Sequence, residues 1–162
     1  MSDMIVDALV ECFKKGSKLL IAGNGGSAAD SQHIAAEFLD RYKIDRLPLP
    51  AIALAADTPT MSAIANDFGY EQVFSRPFFA LAKPGDILLV LSTSGRSTNI
   101  KYVLWEARNR NVAKIGFTGM NAPPEFQVEC DYWRGFEGDT AAIQEGYMKY
   151  MHSVVGEVEC LI

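Results

Sequence analysis

The 162-residue chain is poor in several things, and each shortage removes a class of explanation. Basic residues are outnumbered: 15 Lys and Arg stand against 20 Asp and Glu, a net charge of −5. Without a basic excess there is little to neutralise a phosphate backbone, so no nucleic-acid partner is expected. Apolar runs are short. The longest, "AIALAA" and "ILLVL", fall well below the roughly 18 residues that a membrane span needs, and no membrane association is expected. The opening Met-Ser-Asp carries no basic patch leading into an apolar stretch, so no signal peptide is read. Cysteine is scarce. Cys12, Cys130 and Cys160 are odd in number, scattered, and form no CxxC pair. They read as small buried or half-buried thiols in a reducing, cytoplasmic compartment. There is no G-x-x-x-x-G-K-[ST], and Gly23, Gly25 and Gly26 have the wrong spacing for G-x-G-x-x-G. A nucleoside-triphosphate loop and a dinucleotide turn are both excluded.

What is present alternates. Short apolar runs at Lys18 to Gly23, Ala51 to Ala55, Asp86 to Ser92 and Val112 to Gly119 read as strands, with a weaker fifth at Cys130 to Trp133. They run apolar without strict alternation, the pattern of strands covered on both faces and hence of a parallel sheet. Helical patterns lie at Met1 to Lys15, Ala28 to Tyr42, Ser97 to Asn109 and Ala141 to Leu161. Glu71 to Ala82 reads as a further helix, with Pro77 marking a kink or a start. Asn121 to Glu125, with its two prolines, reads as a surface loop. This order predicts one α/β domain with right-handed crossovers: a short leading helix over 1–17 and the core over 18–162.

Ligands of such sheets bind beyond the carboxyl ends of the strands. Two loops are placed there, Gly23-Asn24-Gly25-Gly26-Ser27 after the first strand and Ser92-Thr93-Ser94-Gly95-Arg96-Ser97 after the third. Each opens a helix, where unpaired amide groups and the helix dipole favour an anion. Each could also be no more than a tight turn with a serine cap. Two such loops together point to phosphate, and loops rich in serine without lysine suit a phosphate monoester on a small organic molecule.

Only two histidines occur. His33 precedes Glu37 by four residues, so they share a helix face. Gln144, Met148 and His152 repeat every four residues on the last helix. Taken singly, these are an exposed ion pair and a half-buried histidine. Taken with the phosphate loops they suggest more. A carboxylate and an imidazole are what aldose–ketose isomerisation needs. Alternatively, His33, Glu37, Gln144 and His152 offer two nitrogens and two oxygens to a divalent, zinc-like ion.

The segments "AGNGGSAADSQHIAAEF", "PAIALAADTPTMSAIANDFGYEQVFSR", "GDILLVLSTSGRSTNI", "IGFTG" and "AAIQEGYMKYMH" together resemble the sugar-isomerase (SIS) domain, and within it the bacterial phosphoheptose isomerases. The resemblance runs from Lys18 to the C-terminus. It implies a three-layer α-β-α subunit with a five-stranded parallel flavodoxin-like sheet, assembled as a homotetramer with sites at subunit interfaces. It implies conversion of D-sedoheptulose 7-phosphate to D-glycero-D-manno-heptose 7-phosphate, on the way to ADP- or GDP-heptose for surface polysaccharide. By the same resemblance Asn24, Gly25 and Gly26 line the substrate site and Ser27 helps to hold phosphate. Ser92, Thr93, Ser94 and Ser97 match the phosphate loop, and Asn66 and Asp67 match a pair that contacts the sugar. Gln144 is placed with the substrate-binding residues. Glu37 matches the base and His152 the acid, while His33, Glu37, Gln144 and His152 match the ligands of one zinc ion per site.

The chain also departs from the family pattern. About 17 residues precede the first strand, which implies a trimmed helical bundle, and Tyr147 stands where many relatives carry histidine. The loop at Met120 to Pro124 lacks the usual glycines. Two other readings stay open at this level: a non-catalytic sugar-phosphate-binding or replication-initiator-associating module, and an isomerase of a hexose or pentose phosphate.

Overall fold

The computed structural model describes residues 3–162. Five strands form one parallel sheet: β1 (Leu19–Gly23), β2 (Ala51–Ala53), β3 (Ile87–Leu91), β4 (Ala113–Gly119) and β5 (Tyr132–Phe136). Their spatial order is β2-β1-β3-β4-β5. The order reverses between β1 and β3, which pair from Leu19 opposite Ile87 to Gly23 opposite Leu91. That register brings the ends of both strands, and the two predicted loops, side by side.

The helices are α1 (Met4–Lys14), α2 (Gly26–Leu39), α3 (Thr58–Phe68), α4 (Ser75–Leu81), α5 (Thr98–Asn109), α6 (Pro124–Glu129) and α7 (Thr140–Leu161). The apolar runs explain how they are divided. Successive strand side chains point to opposite faces. Leu19, Ile21, Leu89, Ile115 and Phe117 face a core built with α1, α2 and α7. Leu20, Ala22, Leu88 and Val90 face a second core built with α3 to α6. The result is the expected three-layer α-β-α architecture. Because α2 and α7 lie in one layer and pack on each other, residues more than a hundred positions apart become neighbours.

Several details correct the sequence expectations. α3 was not anticipated. Its start signals are present, with Asp57 accepting from the Thr60 amide at 3.2 Å and proline in the first turn, and Gly69 at φ 92° ends it. Only Ile64 of this helix is buried, so it has almost no apolar period to read. The expected helix over 71–82 is instead a single 3-10 turn at Tyr70–Gln72 followed by α4. α4 starts at Ser75, with Pro77 inside its first turn, where a missing N–H costs nothing. The loop expected over 121–125 gives way at Pro124 to α6, six residues long and anchored by buried Phe126. β5 lies two residues later than read, with its edge half-buried. The expected helix start at Met1 lies outside the described residues, and Asp3 caps α1 by accepting from the Ile5 amide. Cys12 is buried and Cys130 half-buried as expected, but Cys160 is exposed on the last turn of α7. Burial pushes the Cys12 thiol up to about 11 and the Cys130 thiol up to about 12, so neither is a nucleophile at neutral pH. No helix among the described residues is long and apolar enough to cross a membrane.

Candidate active site

The first loop folds as a tight entry into α2. Gly25 occupies the N-cap position at φ 57° and ψ −122°, backbone open in practice only to glycine. Gly26 is crowded from the other side, since a Cβ there would lie 2.6 Å from Gln144 Nε2. Gln144 is thus laid across the N-terminus of α2, where its amide donates to Ser27 Oγ at 3.4 Å. Ser27 itself is buried and shares a 2.6 Å hydrogen bond with the Tyr147 hydroxyl. Tyr147 thereby holds the start of α2 against α7. Burial is the main cause that raises the Tyr147 phenol above its ordinary value, so it stays protonated and can donate.

The two loops are tied together by a pair of asparagines. Asn24 Nδ2 donates to Asn99 Oδ1 at 2.9 Å, and Asn99 Nδ2 donates back to Asn24 Oδ1 at 2.8 Å. The Tyr70 hydroxyl adds a third bond to the same Asn24 oxygen at 3.1 Å. Asn99 and Tyr70 were missed in the sequence, because an amide pair across 75 residues has no local signature.

In the second loop, buried Ser92 accepts from the Gly95 amide at 3.2 Å and Ser94 accepts from the Arg96 amide at 3.2 Å. Ser97 is the N-cap residue of α5, yet its side chain makes no capping bond. The plain capping explanation therefore fails at the one serine best placed for it. Thr93 and Ser94 border a cavity of about 440 Å³ shared with Gly119, Asn121 and Phe136. Ser97 borders another of about 480 Å³, shared with Asn24, Tyr70 and Asn99.

The ionisable residues gather elsewhere in the same layer. His33 Nε2 and His152 Nε2 lie 3.2 and 3.1 Å from the same oxygen, Glu37 Oε1. The three donor atoms lie within 4.8 Å of one another. Glu37 is recessed, its side chain 12% exposed, beneath the two imidazoles. Its other oxygen, Oε2, is buried with no hydrogen-bond partner, and so is Asp30 Oδ2 two turns earlier on α2. An unsatisfied buried carboxylate oxygen costs on the order of 1–3 kcal/mol or more, and the one on Glu37 lies in the cluster with both histidines. Burial is the largest influence on Asp30 and raises its pKa, against the Tyr147 hydroxyl and His33.

The cluster fits a metal. The two Glu37–histidine separations are close to the ~3.3 Å edge of a tetrahedron with zinc-like bond lengths, and imidazole with carboxylate is a zinc-type donor set. Three of the four predicted ligands are thus assembled. The fourth, Gln144, lies two turns before His152 and is engaged at the α2 N-terminus. Asn66 and Asp67 are not brought to the cluster either. They sit exposed at the end of α3, in the opposite layer, where Asn66 Nδ2 donates to Asp67 Oδ1 at 2.8 Å.

With the geometry in view, comparison with known proteins is decisive. The SIS domain family matches residues 3–119. The phosphoheptose isomerase of Burkholderia pseudomallei (strain 1710b) is 47% identical over 156 residues, covering 96% of this chain and 79% of that one. This chain belongs to the SIS-domain phosphoheptose isomerase family. Two solved phosphoheptose isomerases have the same fold. That of Neisseria gonorrhoeae superposes with a TM-score of 0.89 at 33% identity, covering 96% of this chain and 83% of that one. That of Francisella tularensis gives 0.89 at 34%, covering 95% and 82%. As a phosphoheptose isomerase family member, the chain carries His33, Glu37 and His152 in contact, with its two serine-bearing loops side by side.

Proposed function

We propose that this phosphosugar isomerase interconverts D-sedoheptulose 7-phosphate and D-glycero-D-manno-heptose 7-phosphate through an enediol, supplying a precursor of ADP- or GDP-heptose. The observation that carries the reading is the meeting of Glu37 and His152, from helices far apart in the chain, on one carboxylate oxygen. Glu37 takes the proton from C1 of the open-chain ketose while His152 gives one to the C2 carbonyl oxygen. Glu37 then returns the proton to C2, and His152 takes the O1 proton as the aldehyde forms. Family membership weighs against a purely binding module, and the same residues would leave a non-catalytic protein with two unsatisfied buried carboxylate oxygens.

His33, Glu37 and His152 would hold one zinc ion, with Gln144 released from its single long hydrogen bond as the fourth donor. When bound, the ion supplies Lewis-acid polarisation of the sugar oxygens. Glu37 has one oxygen facing the histidines and one without a partner, which allows ligand and base roles to fall to different atoms of one carboxylate.

The phosphate is held by Thr93, Ser94 and Ser97, with the α5 N-terminus behind them. Ser27, occupied by Tyr147, acts through the backbone of its turn. Asn66 and Asp67, exposed in the layer opposite the Glu37 cluster, are free to reach a neighbour's sugar, in sites completed between subunits of a homotetramer. Mixing Ser94→Ala/Ser97→Ala protein, weakened in substrate binding, with inactive Glu37→Gln protein after gentle dissociation should restore activity at low substrate concentration. Complete absence of complementation in verified mixed oligomers would place the whole site in one protomer.

The direct test is incubation with sedoheptulose 7-phosphate, with and without added zinc, following the aldose by NMR. Aldose formation supports the reading. Absence of turnover under both conditions, with phosphate still bound, overturns it.

A further inference from the structure

One buried charge has no part in the chemistry above. Glu159, near the end of α7, is 6% exposed. Its carboxylate accepts from three consecutive backbone amides, Tyr42 at 2.7 Å, Lys43 at 2.9 Å and Ile44 at 3.3 Å. It also pairs with Arg46 Nε at 3.3 Å. Arg46 in turn donates to the carbonyl oxygens of Glu37 and Phe38, at 2.8 and 2.9 Å, closing the C-terminus of α2. The segment leaving α2 is therefore folded back onto α7 by one carboxylate. Its leading side chain lands on the active site. The Tyr42 ring runs parallel to the His152 imidazole in an offset stack, 4° from parallel with centroids 5.3 Å apart. One turn further along α7, Gly156 lies under the same ring, where a Cβ would make ordinary contact at 3.7 Å and a larger side chain would press on it.

We propose that Glu159, acting through Arg46 and Tyr42, is the positioning residue for the Glu37–His152 pair. It holds the aromatic ring as a wall that fixes the imidazole plane, so that Nε2 stays directed at Glu37. The stack uses the ring face, and among the described residues the Tyr42 hydroxyl makes no hydrogen bond, so the requirement is for an aromatic side chain. The Arg46 bond to the Glu37 carbonyl holds the other member of the pair in the same clamp. A mobile imidazole would spend less time aligned for proton transfer, and misalignment of a reacting group lowers turnover more than binding.

The inference rests on His152 being the acid of the proposed reaction, and two separate readouts keep the claims apart. The first uses the protein alone. His152 ring protons should be shifted upfield by the stacked Tyr42 ring in proton NMR. That shift should vanish in Tyr42→Ala, persist in Tyr42→Phe, and diminish in Glu159→Gln and in Gly156→Leu, which wedges a side chain under the ring without touching the loop anchors. The second readout is steady-state turnover, corrected for folded fraction by circular dichroism. Tyr42→Ala and Gly156→Leu should lower kcat about tenfold with KM changed less than twofold, and Tyr42→Phe should recover most of the loss. Unmoved His152 signals in Tyr42→Ala would overturn the clamp, and so would an unchanged kcat in folded Tyr42→Ala. Failure of the wild type to act on sedoheptulose 7-phosphate would instead remove the substrate reading, while the NMR result stands by itself.

Discussion

Two carboxylates, one half-buried and one buried, flank the seam between α2 and α7, and they are treated oppositely. Glu159 accepts hydrogen bonds from three amides and lies 3.3 Å from a guanidinium nitrogen. Burial alone would raise its pKa, but those donors outweigh it and hold the carboxyl below its ordinary 4.5. Glu37 has one oxygen shared by two imidazoles and the other left bare. A carboxylate surrounded by fixed donors cannot accept a proton cheaply, and it serves architecture. A carboxylate left short of donors keeps an oxygen open to a cation or a substrate, which is the role proposed for Glu37. The amino end of the sheet holds another carboxylate with an architectural set of donors. Asp86 is buried and accepts from Lys18 Nζ at 2.6 Å and from the Lys18 and Lys83 amides at 3.0 and 2.7 Å.

This contrast can be tested by removing each group in turn. The largest effect should come from Glu37→Gln. Loss of a general base costs roughly 10²–10⁴ in rate, while denaturant unfolding should move by less than about 1 kcal/mol, because few bonds are lost. Near-normal turnover would put Glu37 among the structural carboxylates. Glu159→Ala should do the reverse at the level of stability. Removing one partner of a buried charge pair costs roughly 3–5 kcal/mol, read as a lower urea midpoint. An unchanged midpoint would deny Glu159 its architectural role. A smaller effect is expected at the phosphate loop. Ser94→Ala removes one hydrogen bond to a charged group, worth about 1–2 kcal/mol, and should raise KM with kcat nearly kept. An unaltered KM would make the serine loop a turn and nothing more.

The smallest effect concerns acid. The folded-state pKa of Glu159 is depressed, so its contribution to stability is complete above pH 4.5 and is lost as pH falls through the lower folded value. The stability gap between wild type and Glu159→Gln should therefore be constant near neutrality and close progressively below pH 4.5. A gap that widened with acid would contradict the assignment.

Most of the architecture was legible because parallel strands buried on both faces must be apolar throughout. Ile87–Leu91 and Leu19–Gly23 could hardly be anything else. α3 and α6 were illegible for the complementary reason. Each buries a single anchor, Ile64 or Phe126, and leaves no period to detect. At the site, spacing of four exposed the His33–Glu37 pair, and the i, i+4, i+8 ladder put Gln144 and His152 on one face. Neither pattern could say that the two faces touch.

By itself the sequence determined the parallel α/β sheet, the two glycine- and serine-bearing loops and the ionisable residues, since each is written in local spacing or in residue type. Only the tertiary structure decided which polar groups are satisfied. Ser27 is taken up by Tyr147, Asn24 by Asn99, and Glu159 by the chain after α2, whereas Glu37 is left with an unanswered oxygen. Hydrogen-bond satisfaction depends on partners that the sheet's crossovers bring from across the chain, and no local pattern encodes it.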